Sequence, residues 1–314
     1  QGATDYLGLA LLIVGVVCLQ LVLDRGERAD WFAATWVWVC TAVGVVTVIT
    51  FVLWELHIAE PIVDFRLLTN RTYAIGTMLH TVMGFVLYSS IMLQPLFAQT
   101  LMGYDAMTSG YMLLPGGFCT LLMMPLVGVS MHKFDPRVVL TLGMGITSVA
   151  VLLMSWRFTL DAGMWQLIQP RIIWGIGMGF FFVPLSAVTL GAISKEKMGY
   201  ASALFNLMRN IGGSCGIALA VTLLSRRAQV HQHILVEHVT LYNPEAVERL
   251  RMLWQGLMVR GVDSVTAQAQ AGHLLYGEVQ RQALMMAFLD NFWLIGLVSL
   301  ACVPLVLLMR KASG

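Results

Sequence analysis

Gly163-Met-Trp-Gln-Leu-Ile-Gln-Pro-Arg-Ile-Ile-Trp-Gly-Ile-Gly-Met-Gly-Phe-Phe-Phe-Val-Pro-Leu-Ser-Ala-Val-Thr-Leu190 is an apolar run with one charge, Arg171. Crossing roughly 30 Å of hydrocarbon takes about 20 mostly apolar residues. This run is long enough, and seven others resemble it, at about 6–23, 34–54, 73–98, 107–131, 138–156, 200–224 and 284–309. With 58% hydrophobic and 11% charged residues and a mean hydropathy of +0.77, a soluble reading fails. Backbone groups in lipid must be satisfied within the segment, so the spans are helices. The short alternating strands of a β-barrel are absent. The predicted fold class is an all-α integral membrane protein with eight transmembrane helices.

The glycines of the opening run could be mistaken for a dinucleotide fingerprint. That motif needs a preceding strand and a phosphate-facing loop, and here it lies inside a span. Gly175/Gly179 and Gly212/Gly216 are spaced as small residues that let helices approach closely. The five cysteines all lie in spans without metal-ligand spacing or a disulfide framework. No HExxH or GxSxG frame suggests an enzyme. No cofactor, metal or nucleic acid is expected. The chain opens on Gln1 with no basic leader, so it reads as a piece of a longer protein.

Basic residues mark cytoplasmic loops. One set of connections holds Arg66, Arg71, Lys133, Arg137, Lys195, Lys197, Arg310 and Lys311; the other holds Arg25, Arg28 and Arg157. This eight-to-three bias puts the C-terminus in the cytoplasm and the long 225–283 segment outside. The predicted organisation is two linker spans (1–56), a cytoplasmic linker (57–72), a six-helix half (73–224 plus 284–309), and a periplasmic or extracellular amphipathic segment (225–283). The six spans form two triplets of opposite polarity, as in many secondary transporters. In the outside segment, Asn243-Pro244-Glu245 reads as a helix start. Val247, Leu250, Trp254, Leu257 and Met258 then share one face, fit to lie on the protein or membrane or to dock an adaptor.

Charge inside a span is a functional hypothesis. Arg209, beside Asn206 and Asn210, is either a gating or substrate-positioning cation or an interhelical anchor. Arg171 and Asp290 lie at similar depth, so they either pair across the outer leaflet or snorkel to the interface. His80 is a proton-carrier candidate, with packing as the plainer reading. His231, His233 and His238 lack a full metal frame. Tyr88, Gln94, Phe181 and Phe205, with Met92, Met112, Phe182 and Met208, could line a cavity for varied amphiphiles.

Several stretches together resemble a known family. Asp5-Tyr6-Leu7-Gly8-Leu9-Ala10-Leu11 fits a DxxGxxL signature through Asp5, Gly8 and Leu11. LDRGERADWF (23–32), with Asp24, Arg25 and Gly26, and PIVDFRLLTNR (61–71) follow in order. LPGG (114–117, with Pro115 and Gly116), 166–190 (with Gly175, Gly179 and Pro184), 201–219 (with Gly212 and Gly213) and Asp290 complete the set. The whole resembles the second part of the 14-helix drug:proton antiporters (EmrB/QacA type) of the major facilitator superfamily. The resemblance implies a multidrug exporter in a cell (inner) membrane, working by alternating access. Its partners would be membrane lipid, small amphiphilic substrates, protons and a possible periplasmic adaptor, with the main proton site in another half. A transporter for a lipid or metabolite is the alternative; a scaffold or enzyme is disfavoured. Two positions depart from the family: His132 replaces an acid of its loop motif, and the family has no fixed arginine where Arg171 stands.

Overall fold

The computed structural model describes residues 5–58, 61–240 and 242–309, and only the backbone of Asp24 and Arg28. Arg310 and Lys311, two charges of the orientation argument, lie outside the described residues, as do the side chains of Asp24 and Arg28. The helices are α1 (Tyr6–Arg25), α2 (Thr35–His57), α3 (Arg71–Leu101), α4 (Ala106–Tyr111), α5 (Leu114–Ser130), α6 (Pro136–Arg157), α7 (Met164–Gly191), α8 (Met198–His238), α9 (Pro244–Val259), α10 (Ser264–Ala301) and α11 (Val303–Leu307). Eight helical stretches are long and apolar enough to cross a membrane, and no strand occurs among the described residues.

Local chemistry sets the helix starts. Asp5, Asn70, Asp135, Asn243 and Asp263 each accept a hydrogen bond from a backbone N–H of the following turn, satisfying donors that have no partner within the helix. Pro136 and Pro244 occupy first positions, where a missing N–H costs nothing.

The packing repeats. α3 lies along α8 and α5 along α7, while α6 packs on α7 and α10, and α10 packs on α3. Exchanging the first triplet (α3, α5, α6) for the second (α7, α8, α10) carries the α3/α8 pair onto α7/α5, and α6/α7 onto α10/α3. That repetition is the packing expected of inverted triplets. α1 and α2 form a hairpin that meets the bundle mainly through α8 and leaves most of its apolar surface exposed.

Buried side chains form two clusters. A large core includes Phe97, Phe158, Phe288 and Phe292, with neighbouring rings 5.1–5.4 Å apart. A smaller one, at the end carrying the 61–70 linker, joins Phe51, Val63, Leu67, Tyr73, Ala201 and Leu204. There Tyr73 Oη donates to the Ala201 carbonyl at 2.8 Å, and Lys197 meets Asp64 at 3.0 Å.

At the opposite end α8 and α10 do not stop where their apolar runs stop. α8 has 41 residues and α10 has 38, so each is roughly 60 Å long at 1.5 Å per residue. The polar 225–283 stretch is therefore largely the continuation of these two helices, with α9 laid against α10. Trp254 Nε1 donates to the Ser264 carbonyl at 3.2 Å, and Arg249 makes a two-pronged bond to Glu278 at 2.6 and 3.0 Å. The α9 apolar face is turned toward its own chain, though Met258 remains exposed.

Candidate functional site

Two glycine-lined crossings hold the candidate residues. At α3/α8, a Cβ on Gly212 would land on the Thr81 carbonyl oxygen, one on Gly213 on the Tyr88 ring, and one on Gly84 on the backbone and side chain of Arg209. At α5/α7, a Cβ on Gly175 would land on the Gly116 carbonyl, one on Gly179 on Met123, and one on Gly116 on Arg171, whose carbonyl and Cγ stand 2.7 and 2.8 Å from it. Only residues without side chains permit backbones this close. Pro184 is buried in α7, and Pro115 opens α5.

Around the first crossing, Arg209 is half-buried and Asn206 and Asn210 are exposed. Among the described residues the Arg209 Nε has no hydrogen-bond partner. Asn206 donates back to the Ser202 carbonyl at 2.9 Å, leaving its oxygen free to face outward. One turn away, Phe205 stacks on His80 at 3.8 Å with the rings 7° apart, and Phe182 meets the same imidazole edge-on at 6.0 Å. His80 is 2% exposed, and neither ring nitrogen finds a partner among the described residues. The cluster offers a cation, two amides and a layered aromatic wall.

Several expected members sit elsewhere. Phe181 is fully buried in the core, because its side of α7 turns into the bundle. Gln94 is also buried and donates to the Leu167 carbonyl at 2.9 Å, tying α3 to α7 rather than facing a cavity. Tyr88 is half-buried against Gly213.

The proposed Arg171–Asp290 pair does not form. Arg171 on α7 lies against Ser90 of α3 and Gly116 of α5, whereas α10 presents Asp290 to α8. Asp290 meets His231 at 2.8 Å and Arg227 at 3.6 Å. Arg171 does not snorkel either: it is 3% exposed, lies 3.8 Å over the Trp174 ring, and reaches Ser90 Oγ only at 3.5 Å. His233 pairs with Glu237 at 3.2 Å, and His238 bonds the Ile234 carbonyl. No three metal-capable side chains gather among the described residues.

Asp5 caps Gly8 N at 2.9 Å and accepts from Trp54 Nε1 at 2.9 Å. Leu11 packs on the smaller core. Gly26 is buried against Trp31, and Arg25 is exposed. One acid escaped the sequence reading. Glu55, near the C-terminal end of α2, is 2% exposed, and one of its oxygens accepts from Val63 N at 3.2 Å. Both Glu55 and Asp5 crowd the space where a Gly8 side chain would stand. The usable signal was an acid closing an apolar span directly before a proline-bearing linker.

Comparison with known proteins places this geometry. A family model described as "Major Facilitator Superfamily" matches residues 6–217. "Multidrug export protein EmrB" of Escherichia coli (strain K12) is 30% identical over 99% of this chain and 59% of its own length. "Fatty acid resistance protein FarB" of Neisseria gonorrhoeae is 33% identical over 76% of the chain and 47% of its own length. The chain thus spans 59% of the EmrB relative. A solved structure, a bacterial homolog to the human lysosomal transporter Spinster in an inward-facing and unoccupied conformation, matches 96% of this chain and 67% of its own. Its TM-score is 0.50 at 16% identity, a likeness of fold. With the family match running from α1 into α8, and helices that pack as two inverted triplets, this chain belongs to the Major Facilitator Superfamily.

Proposed function

We propose that the chain works as the C-terminal part of a secondary active multidrug exporter, driven by proton antiport and alternating access. The observation that carries the reading is the pair of glycine crossings, with Arg209, Asn206, His80 and Phe205 grouped on one of them. Helices packed backbone to backbone can rock as units, and a cation among amides and rings can position varied amphiphiles. The 30% identical relative is named a multidrug export protein. The principal proton site lies in a partner half of the transporter.

The residues in named roles are Arg209, Asn206 and Asn210 as the polar face, and Phe205 with Tyr88 as the apolar wall. The six-helix half comprises 73–224 and 284–309, joined by the 57–72 linker to two added spans in 1–56. The charge bias supports a cytoplasmic C-terminus in an inner membrane, with the α8–α9–α10 protrusion outside and available to an adaptor protein. A second reading, export of a lipid-like acid, draws on the relative named for fatty acid resistance.

The test uses the full-length transporter in a strain lacking its own efflux pumps. Lowered accumulation of several unrelated amphiphiles, abolished by a protonophore, is the expected result. Accumulation equal to that of the empty vector, with protein present in the membrane, would refute the reading.

A further inference from the structure

We propose that Arg171 is an anion-binding residue, its guanidinium receiving the carboxylate of a single-tailed amphiphilic acid carried by the transporter. This rests on the transport reading above and adds a substrate class to it.

An arginine side chain stays charged in proteins. Arg171 is 3% exposed, yet no carboxylate among the described residues lies within ion-pair distance of it. Its polar contact is Ser90 Oγ at 3.5 Å, at the limit of a hydrogen bond, and its Nε has no partner. The Trp174 ring covers one face at 3.8 Å. Two nearby groups are also unsatisfied: Trp174 Nε1, one turn along α7, and Oε1 of Gln94 on α3, whose amide bonds Leu167 one turn before Arg171. A buried cation in lipid pairs with an acid or serves a ligand. The acid nearest in expected depth, Asp290, is already held by His231 and Arg227.

The missing charge therefore arrives with something that binds. A guanidinium is a planar fork that matches a carboxylate with two parallel hydrogen bonds. The Trp174 ring against the guanidinium gives an apolar surface beside the charge. Gly116 lies directly against Arg171, so a shift of the α5/α7 crossing is the movement that uncovers it. An anionic phospholipid headgroup offers related oxygen chemistry, and the test separates the two sources.

The full-length protein is placed in phosphatidylcholine nanodiscs with radiolabelled laurate. Unlabelled laurate, methyl laurate and phosphatidylglycerol then compete for it. In the wild type, laurate should displace label at least about tenfold better than its uncharged methyl ester, the scale of one charge-assisted hydrogen bond. In Arg171→Gln that ratio should fall to near one. In Arg171→Lys, which keeps the charge but loses the fork, part of the ratio should remain. A merely structural role for Arg171 would lower the affinity for both ligands and leave the ratio unchanged, and that result overturns the proposal. So does a wild type that binds acid and ester equally. Phosphatidylglycerol displacing laurate more tightly than laurate itself, in an Arg171-dependent way, would assign the residue to lipid and overturn it as a cargo site. A wild type that binds none of these amphiphiles also overturns the proposal, while the transport reading beneath it falls only if the efflux assay above fails as well.

Discussion

At the α3/α8 crossing Gly84 lies under Arg209, and at the α5/α7 crossing Gly116 lies under Arg171. The backbone device is shared: a glycine gives up its side chain so that an arginine-bearing helix can press close. The surroundings differ. Arg209 is half-buried beside two exposed amides, whereas Arg171 is enclosed against Trp174. The two crossings thus present one cation to an open face and shut the other inside, although both arginines belong to the second triplet. The exchange of triplets sets α8 against α5 and α7 against α3, so the glycine and the arginine trade sides between the two crossings, and the neighbouring side chains decide whether each charge is accessible.

The comparison is easiest to break at its shared element. Gly175→Leu and Gly212→Leu should each be the most damaging changes, since the added atoms meet backbone carbonyls that cannot retreat. We expect a loss of at least about 3 kcal/mol, seen as an early melting transition or no monodisperse protein in size-exclusion chromatography. Normal melting in both variants would mean that the helices can part at these crossings without cost.

Next in size, Arg209→Ala should reduce efflux by about tenfold, the scale of a lost charge-assisted contact, at normal membrane levels; Arg209→Lys should fall between. Unimpaired efflux in Arg209→Ala would reduce this residue to packing. The enclosed arginine should behave oppositely in stability. Arg171→Met replaces a lone buried charge by an apolar chain of similar length, and we expect a higher melting temperature, since no ion pair among the described residues repays the desolvation of that charge. Arg209→Met should show no such gain. A lower melting temperature for Arg171→Met would show that an acid pairs with Arg171 in the whole protein. The smallest effect belongs to the protrusion: Arg249→Ala removes an exposed ion pair with Glu278 and should leave the melting temperature unchanged within error.

Hydropathy made the eight spans legible because length and composition alone decide whether a segment can cross lipid. It could not find where α8 and α10 end. Polar residues after Leu224 stop a membrane span without stopping a helix, and the next breaker in the chain is Pro244. Candidate residues were readable where charge inside a span is rare, as with Arg209 and Arg171. Their partners were not. The Asp290–His231 contact depends on the antiparallel register of α8 and α10, residues 59 positions apart. Gln94 and Phe181 are of cavity-lining type, yet the rotation of α3 and α7 turns both inward. Glu55 was hidden because its burial comes from the folded-back 61–70 linker, which carries no apolar periodicity of its own.

The unbroken length of α8 has a mechanical meaning. From its tight contact at Gly212 to its tip at His238 the helix runs roughly 39 Å at 1.5 Å per residue. Any pivot at that glycine turns the helix into a pointer: ten degrees of tilt sweeps its far end through about 7 Å. Rocking too slight to notice between side chains at the crossing becomes, at the protrusion, a stroke as wide as an extended arginine side chain is long.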